Sequence, residues 1–321
     1  MLTSEEEAAV RGLSNETIAQ NEIDNTGTTT LYVEPVLEEV ECIADVEECG
    51  DFFQKVVSLF RLQASLNFTT NGEVWLEGYT KENRVIDWVA AFKGELFESL
   101  DCFPWKHWAN IDGHVNVSNL RMEIVDSIHF GMSILIDNYY KSLKIRDLNY
   151  LQNHIMLTTT YTPVDRLTYN SKIDEVIEGL VTKESIKTLR SEVDILLQGF
   201  YNEVTDTKSR IVMLLKQLSF YTYDTDNLLV RFLALCVILG KEYKGFNFNS
   251  LYKLYIGKHM LNKFRQDNGY KTQEYTKLWG DVEDNVYLLE IVDSKEDITG
   301  DYVYSELERL YKQFKPTSEP A

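Results

Sequence analysis

Cysteine, histidine and positive charge are all in short supply, and each shortage closes off a class of function. Four cysteines cannot staple a scaffold of 321 residues, and Cys42, Cys49, Cys102 and Cys236 form no CxxC pair of the kind that grips zinc. A reducing compartment is expected. No apolar run reaches the length of a membrane span, and residues 1–20 carry acids where a secretory leader has a basic start and an apolar stretch, which reads as a cytoplasmic protein. Lys and Arg number 32 against 51 Asp and Glu, a formal charge of −19. Such a field repels phosphate backbones and anionic lipid, so neither nucleic acid nor membrane is an expected partner. A small anionic substrate stays open, because a bound divalent cation would then be the largest local charge.

Core material is plentiful. Apolar residues make up 44% of the chain and aromatics 12%, with 19 Tyr and 15 Phe, which is the composition of a globular protein. Residues 1–48 differ: they are acidic, poor in large apolar residues and contain the tract TGTTT, so they read as a partly disordered extension, with one strand or short helix in LYVEPVLEEV. Residues 49–321 read as one domain. Within FFQKVVSLFRLQASLN, Phe52, Val56, Leu59, Leu62 and Leu66 recur at spacings of three and four, the mark of an amphipathic helix. A loop with breakers at Asn71-Gly72 and Gly78 follows. Further helices are expected at about 85–101, stopped near Pro104, and at 117–143, 172–200, 206–221, 226–241, 248–265 and 303–314. Alternating strand patterns are scarce, so the expected class is all-α, a helical bundle.

Two acid pairs carry the strongest local signal: Glu95-x-x-Glu98 in KGELFESLD and Glu123-x-x-Asp126 in RMEIVDSIHF. Residues three apart on a helix are surface neighbours, so each pair can aim two carboxylates at one point. An isolated ExxE is usually a solvated face. Here the helices are crowded with apolar residues. Glu123 and Asp126 share a stripe with Phe130 and Ile134, opposite Ile124, Val125, Ile128, Met132, Leu135 and Ile136; Ile86, Val89, Ala90, Leu96, Phe97 and Leu100 form the stripe of the preceding helix. Acids on such helices are costly to desolvate unless a cation compensates. An all-oxygen set suits magnesium. His129, three residues after Asp126, reads as a hydrogen-bonding or packing group, with metal ligation the alternative.

At these residues the sequence resembles the dimeric all-α dUTPase family, part of the all-α nucleoside triphosphate pyrophosphohydrolases of phages, some bacteria and kinetoplastids. LFRLQASLN, WLEGYTKENRVIDW, GELFESLDCFPWKHW and LRMEIVDSIHFGMS follow the family's order over residues 52–140, and LYIGKHMLNKFRQDNGYKTQEYTKLWGDVEDN at 254–285 resembles its phosphate-binding region. The resemblance implies a homodimer that hydrolyses dUTP, and also dUDP, to dUMP. It implies two or more magnesium ions on Glu95, Glu98, Glu123 and Asp126, with Glu95 or Glu98 also activating water. Gln63 and Asn67 would lie near the base, Trp108, His129 and Phe130 would line the nucleoside pocket, and Lys258, Asn262, Arg265 and Lys271 would hold phosphate, joined less firmly by Gln266 and Asn285. The bland alternative for the last group is a basic helix face balancing acids.

Three departures stand out. His259 occupies a position where relatives usually carry Asn, and Gln273 one where glycine is common. The chain also carries the N-terminal extension and an inserted helical segment at about 144–205. Two other functions compete: the same chemistry on dCTP or a modified pyrimidine nucleotide, and a regulatory protein-binding module that keeps the fold.

Overall fold

The computed structural model describes residues 50–106, 108, 113–152, 166–203, 206–220 and 225–314. The acidic extension, its TGTTT tract and the strand or helix expected in LYVEPVLEEV lie outside the described residues. All elements named below belong to the unit Cys42–Ala321.

Ten α-helices account for most of the described residues, and the fold is all-α. They are α1 (Gly50–Asn71), α2 (Trp88–Asp101), α3 (Val117–Gln152), α4 (Arg166–Leu180), α5 (Lys183–Glu203), α6 (Thr207–Leu218), α7 (Thr225–Glu242), α8 (Phe248–Asp267), α9 (Asp284–Asp293) and α10 (Gly300–Phe314). The single sheet among the described residues is an antiparallel pair of two-residue strands, β1 (Leu278–Trp279) and β2 (Val282–Glu283).

The central helix is α3, which packs against α1, α2, α4 and α8 and is buried on nearly every side, with Leu120, Met122, Ile124, Val125, Met132, Ile134, Leu135 and Ile136 all in the core. Its closest companion is α2, whose backbone starts at an Asp87 cap accepting from the Ala90 amide at 2.8 Å. Gly131 faces the Phe92 ring across this seam, where an added Cβ would stand in van der Waals contact at 3.4 Å. On the other side α8 lies against α3 and is braced by α9 and α10. Gly257 is needed at that junction, because an added Cβ would meet Val292 at 2.7 Å and Leu288 at 3.1 Å. Phe264 of α8 then anchors an aromatic cluster, with Tyr304 and Tyr311 edge-on at 5.4 Å each.

Four local expectations are corrected. The helix expected at 172–200 is two helices, because Thr182 and Ser185 cap each other reciprocally, each amide donating to the other's hydroxyl at 3.0 Å. The loop after α1 contains a 3-10 turn over Glu73–Glu77 that buries Trp75 and Leu76. Helix α9 was not expected at all. Phe97, placed on the apolar stripe of α2, is 57% exposed, since each step along a helix turns about 100° and carries it past the buried row Phe92–Leu96–Leu100. Within the expected insertion, α4 packs on α1 and α3, and α5 packs on α7. Trp75 and Trp279 are fully buried, as core tryptophans.

Candidate active site

The site is built where α2, α3 and α8 meet. Helices α2 and α3 are each helical through their acid pairs, so Glu95 falls opposite Glu123 and Asp126 across the α2–α3 seam. One carboxylate oxygen from each of these three lies within 4.8 Å of the others. That donor set contains oxygen only, with no histidine or cysteine, and it fits a hard divalent cation such as magnesium. Glu98, one turn beyond Glu95, is exposed and stands outside the group of three, near enough that its charge bears on Glu95 and Glu123.

Crowding acids together disfavours their ionised forms. Burial, then the Asp126 charge, then a hydrogen bond shared with Glu123 push the Glu95 carboxyl up to about 8. Burial also raises Glu123, which accepts the proton that Glu95 keeps. From α8, the Lys258 ammonium donates to Asp126 Oδ2 at 2.7 Å and to Asn285 Oδ1 at 3.2 Å.

A second buried network adjoins the first on α3. Gln63 donates from Nε2 to Asn67 Oδ1 and to Ser133 Oγ, both at 2.9 Å, while Asn67 Nδ2 donates to Ser133 at 3.0 Å. Gln63 Oε1 accepts from the Tyr255 hydroxyl at 2.8 Å and from His129 Nδ1 at 2.7 Å. The amide oxygen cannot donate, so Nδ1 of His129 carries the proton. Burial, together with the nearby charges of His259 and Lys258, holds this imidazole well below its ordinary value and keeps it neutral. Its ring stacks on Tyr255 at 4.1 Å between centroids. His129 Nε2 and His259 Nδ1 are buried and have no hydrogen-bond partner among the described residues. Burial, then the Lys263 charge, takes His259 down to about 4.

On the phosphate-binding side of the expectation, Arg265 Nη1 makes a long contact to Asn262 at 3.5 Å, and its remaining nitrogens are taken by Asp284 and Asn285. Tyr275 donates to Asp284 Oδ2 at 2.7 Å. Gln266 Nε2 and Lys271 Nζ both reach Thr70 at the end of α1, at 3.0 Å and 2.9 Å, and Lys271 is exposed.

The structure therefore brings together Glu95, Glu123, Asp126 and Lys258 in one group and Gln63, Asn67 and His129 in another. Phe130 is half-buried beside Trp88, with ring centroids 6.2 Å apart. Trp108 is not drawn into either group; it is 66% exposed and sits edge-on to Trp105. Sequence reading missed Ser133, Tyr255, Tyr275 and Asp284. The signal for Asp284 was its place in the VEDN tail of the second block, next to Asn285.

Comparison with known proteins places the chain in a family. A family model described as dUTPase matches residues 55–270. No curated protein matches the chain. The matched span holds the four acids, Lys258 and Arg265, while Tyr275, Asp284 and Asn285 lie beyond it.

Proposed function

The chain belongs to the dUTPase family and is a nucleoside triphosphate pyrophosphohydrolase; from that premise we propose that it hydrolyses dUTP, and dUDP as a second substrate, in a reaction dependent on magnesium. The observation that carries this reading is the convergence of Glu95, Glu123 and Asp126, from two helices, within 4.8 Å. Glu98, a turn further along α2, completes the ligand set in this proposal, which holds two or more ions. Bound magnesium would polarise a phosphoryl oxygen and acidify a water, the help a phosphoanhydride needs.

The chain's own residues supply the rest. Glu95 or Glu98 accepts the proton of the attacking water. Lys258 and Arg265 hold the polyphosphate, with the loosely engaged Nη1 of Arg265 the guanidinium donor most free to turn to it. Asn262 and Lys271 complete that side. Gln63 has every donor and acceptor used within the protein, so with Asn67 it positions His129 rather than meeting the base directly. His129, Phe130 and Trp108 line the nucleoside side, Trp108 as an exposed side chain. On the resemblance the enzyme works as a homodimer, and a cytoplasmic location is proposed with it.

A second reading keeps the mechanism and changes the base to cytosine or a modified pyrimidine. It is favoured by His259, whose buried Nδ1 has no hydrogen-bond partner among the described residues and which, by the resemblance, stands where relatives usually carry Asn; a change in one hydrogen bond is enough to alter selectivity. The test is pyrophosphate release from dUTP, dCTP and dTTP, with dUDP and UTP alongside, in magnesium and in EDTA. Magnesium-dependent cleavage confined to deoxyuridine nucleotides is expected; a preference for dCTP moves the base assignment, and no turnover of any of them removes the proposal.

A further inference from the structure

Lys258 is the residue whose surroundings ask for a second explanation. It is 3% exposed, and its ammonium is spent on Asp126 at 2.7 Å and on Asn285 at 3.2 Å. Asp126 is also one of the three acids whose oxygens converge within 4.8 Å. A divalent cation on that carboxylate would sit about 2.0–2.1 Å from its oxygen. Two cations would then crowd one acid that is largely withdrawn from water, where like charges repel more strongly than in solvent. A lysine is well made for yielding, being a compact charge on a flexible four-carbon stem.

We propose that Lys258 is a resident counter-ion of Asp126 that a divalent cation must displace, so that binding of metal frees the ammonium for the polyphosphate. The inference rests on the proposed metal reading of the acid cluster. It adds a coupling between two ligands. Without nucleotide, the lysine competes with metal for Asp126 and weakens metal binding. With a polyphosphate present, the displaced ammonium gains a new anionic partner, and the competition falls away. By linkage, metal must then strengthen polyphosphate binding by the same factor. Asn285, whose Oδ1 also accepts from Arg265 at 3.2 Å, offers the ammonium a neutral second contact.

The experiment titrates manganese into metal-stripped protein without nucleotide, reading free manganese by electron paramagnetic resonance. Lys258→Met should bind manganese about tenfold more tightly than the wild type, within the usual range of such couplings. Lys258→Arg, which keeps the charge, should stay weak. Lys253→Met removes an equal charge elsewhere on α8, where that ammonium caps the carbonyls of Val292 and Lys295, and should match the wild type. On unaltered protein, an amine-acylating reagent followed by peptide mass analysis should label Lys258 faster in magnesium than in EDTA. Manganese bound by Lys258→Met no more tightly than by wild type or Lys253→Met would overturn the inference alone, as would labelling indifferent to magnesium. If no variant binds manganese, the metal reading falls and takes this inference with it.

Discussion

Arg265 and Asp284 meet fork to fork, with Nε donating to Oδ2 at 2.8 Å and Nη2 to Oδ1 at 2.7 Å, and the carboxylate is fully buried. Removing one member of such a pair strands the other charge without water, at a cost of about 3–5 kcal/mol. Asp284→Ala should therefore lower the unfolding midpoint sharply in urea and raise KM for the nucleotide, since Arg265 loses its orientation. Asp284→Ala unfolding at the wild-type midpoint would remove the pair from the account.

Glu123→Gln and Glu98→Gln should each cut turnover at least about 100-fold, more than the loss usual for groups that merely support a ligand. Circular dichroism should report an intact helical fold in both. Glu98 is the sharper test, because it is exposed and outside the three-acid group; full activity in Glu98→Gln would confine the site to Glu95, Glu123 and Asp126.

In metal-free protein Glu95 has its carboxyl pushed from 4.5 up to about 8, first by burial. A group raised in this way favours the folded state fully below its unfolded value, and that contribution is lost as pH rises through the folded value. Neutral His129 and His259 act oppositely, costing stability as pH falls below 6.5. The clean observable is the difference in melting temperature between Glu95→Gln and wild type in EDTA, which should grow from pH 5 to pH 8 relative to the 4.5-to-8 window. A flat difference would mean that Glu95 ionises normally.

Gln273 adopts φ +64, in the left-handed region where a side chain costs about 1–2 kcal/mol. Glycine there removes that strain but adds unfolded-state freedom worth about 0.5–1 kcal/mol. Gln273→Gly should accordingly raise the melting temperature slightly, and Gln273→Val should lower it. A glycine variant that melts earlier would show that the glutamine side chain contributes a contact larger than the strain.

Much of this was legible in the chain. Crowding of apolar residues around Glu123 and Asp126 marks α3 as a buried helix, and helical spacing sets each acid pair on one face. Contacts between distant segments were not legible. The resemblance implies Gln63 and Asn67 near a base; nothing in the chain signals that Asn67, Ser133, His129 and Tyr255 together occupy every donor and acceptor of Gln63. Asp284 lies 19 residues from Arg265, in a short helix whose run VYLLEIV has too few turns to declare its period. The break before α5 depends on a Thr-x-x-Ser pair, a cap that lacks the usual Glu or Gln.

The inward turn of the two best-placed cations also bears on how a nucleotide arrives. With Lys258 spent on Asp126 and Arg265 on Asp284, the exposed Lys271 has little to set against a molecule of charge −19. A polyphosphate drifting in from bulk solvent is met by repulsion, so capture is slowed at low ionic strength. Adding salt until the screening length shrinks to about 8 Å should then quicken the encounter, the reverse of the behaviour of enzymes that steer their substrates electrostatically.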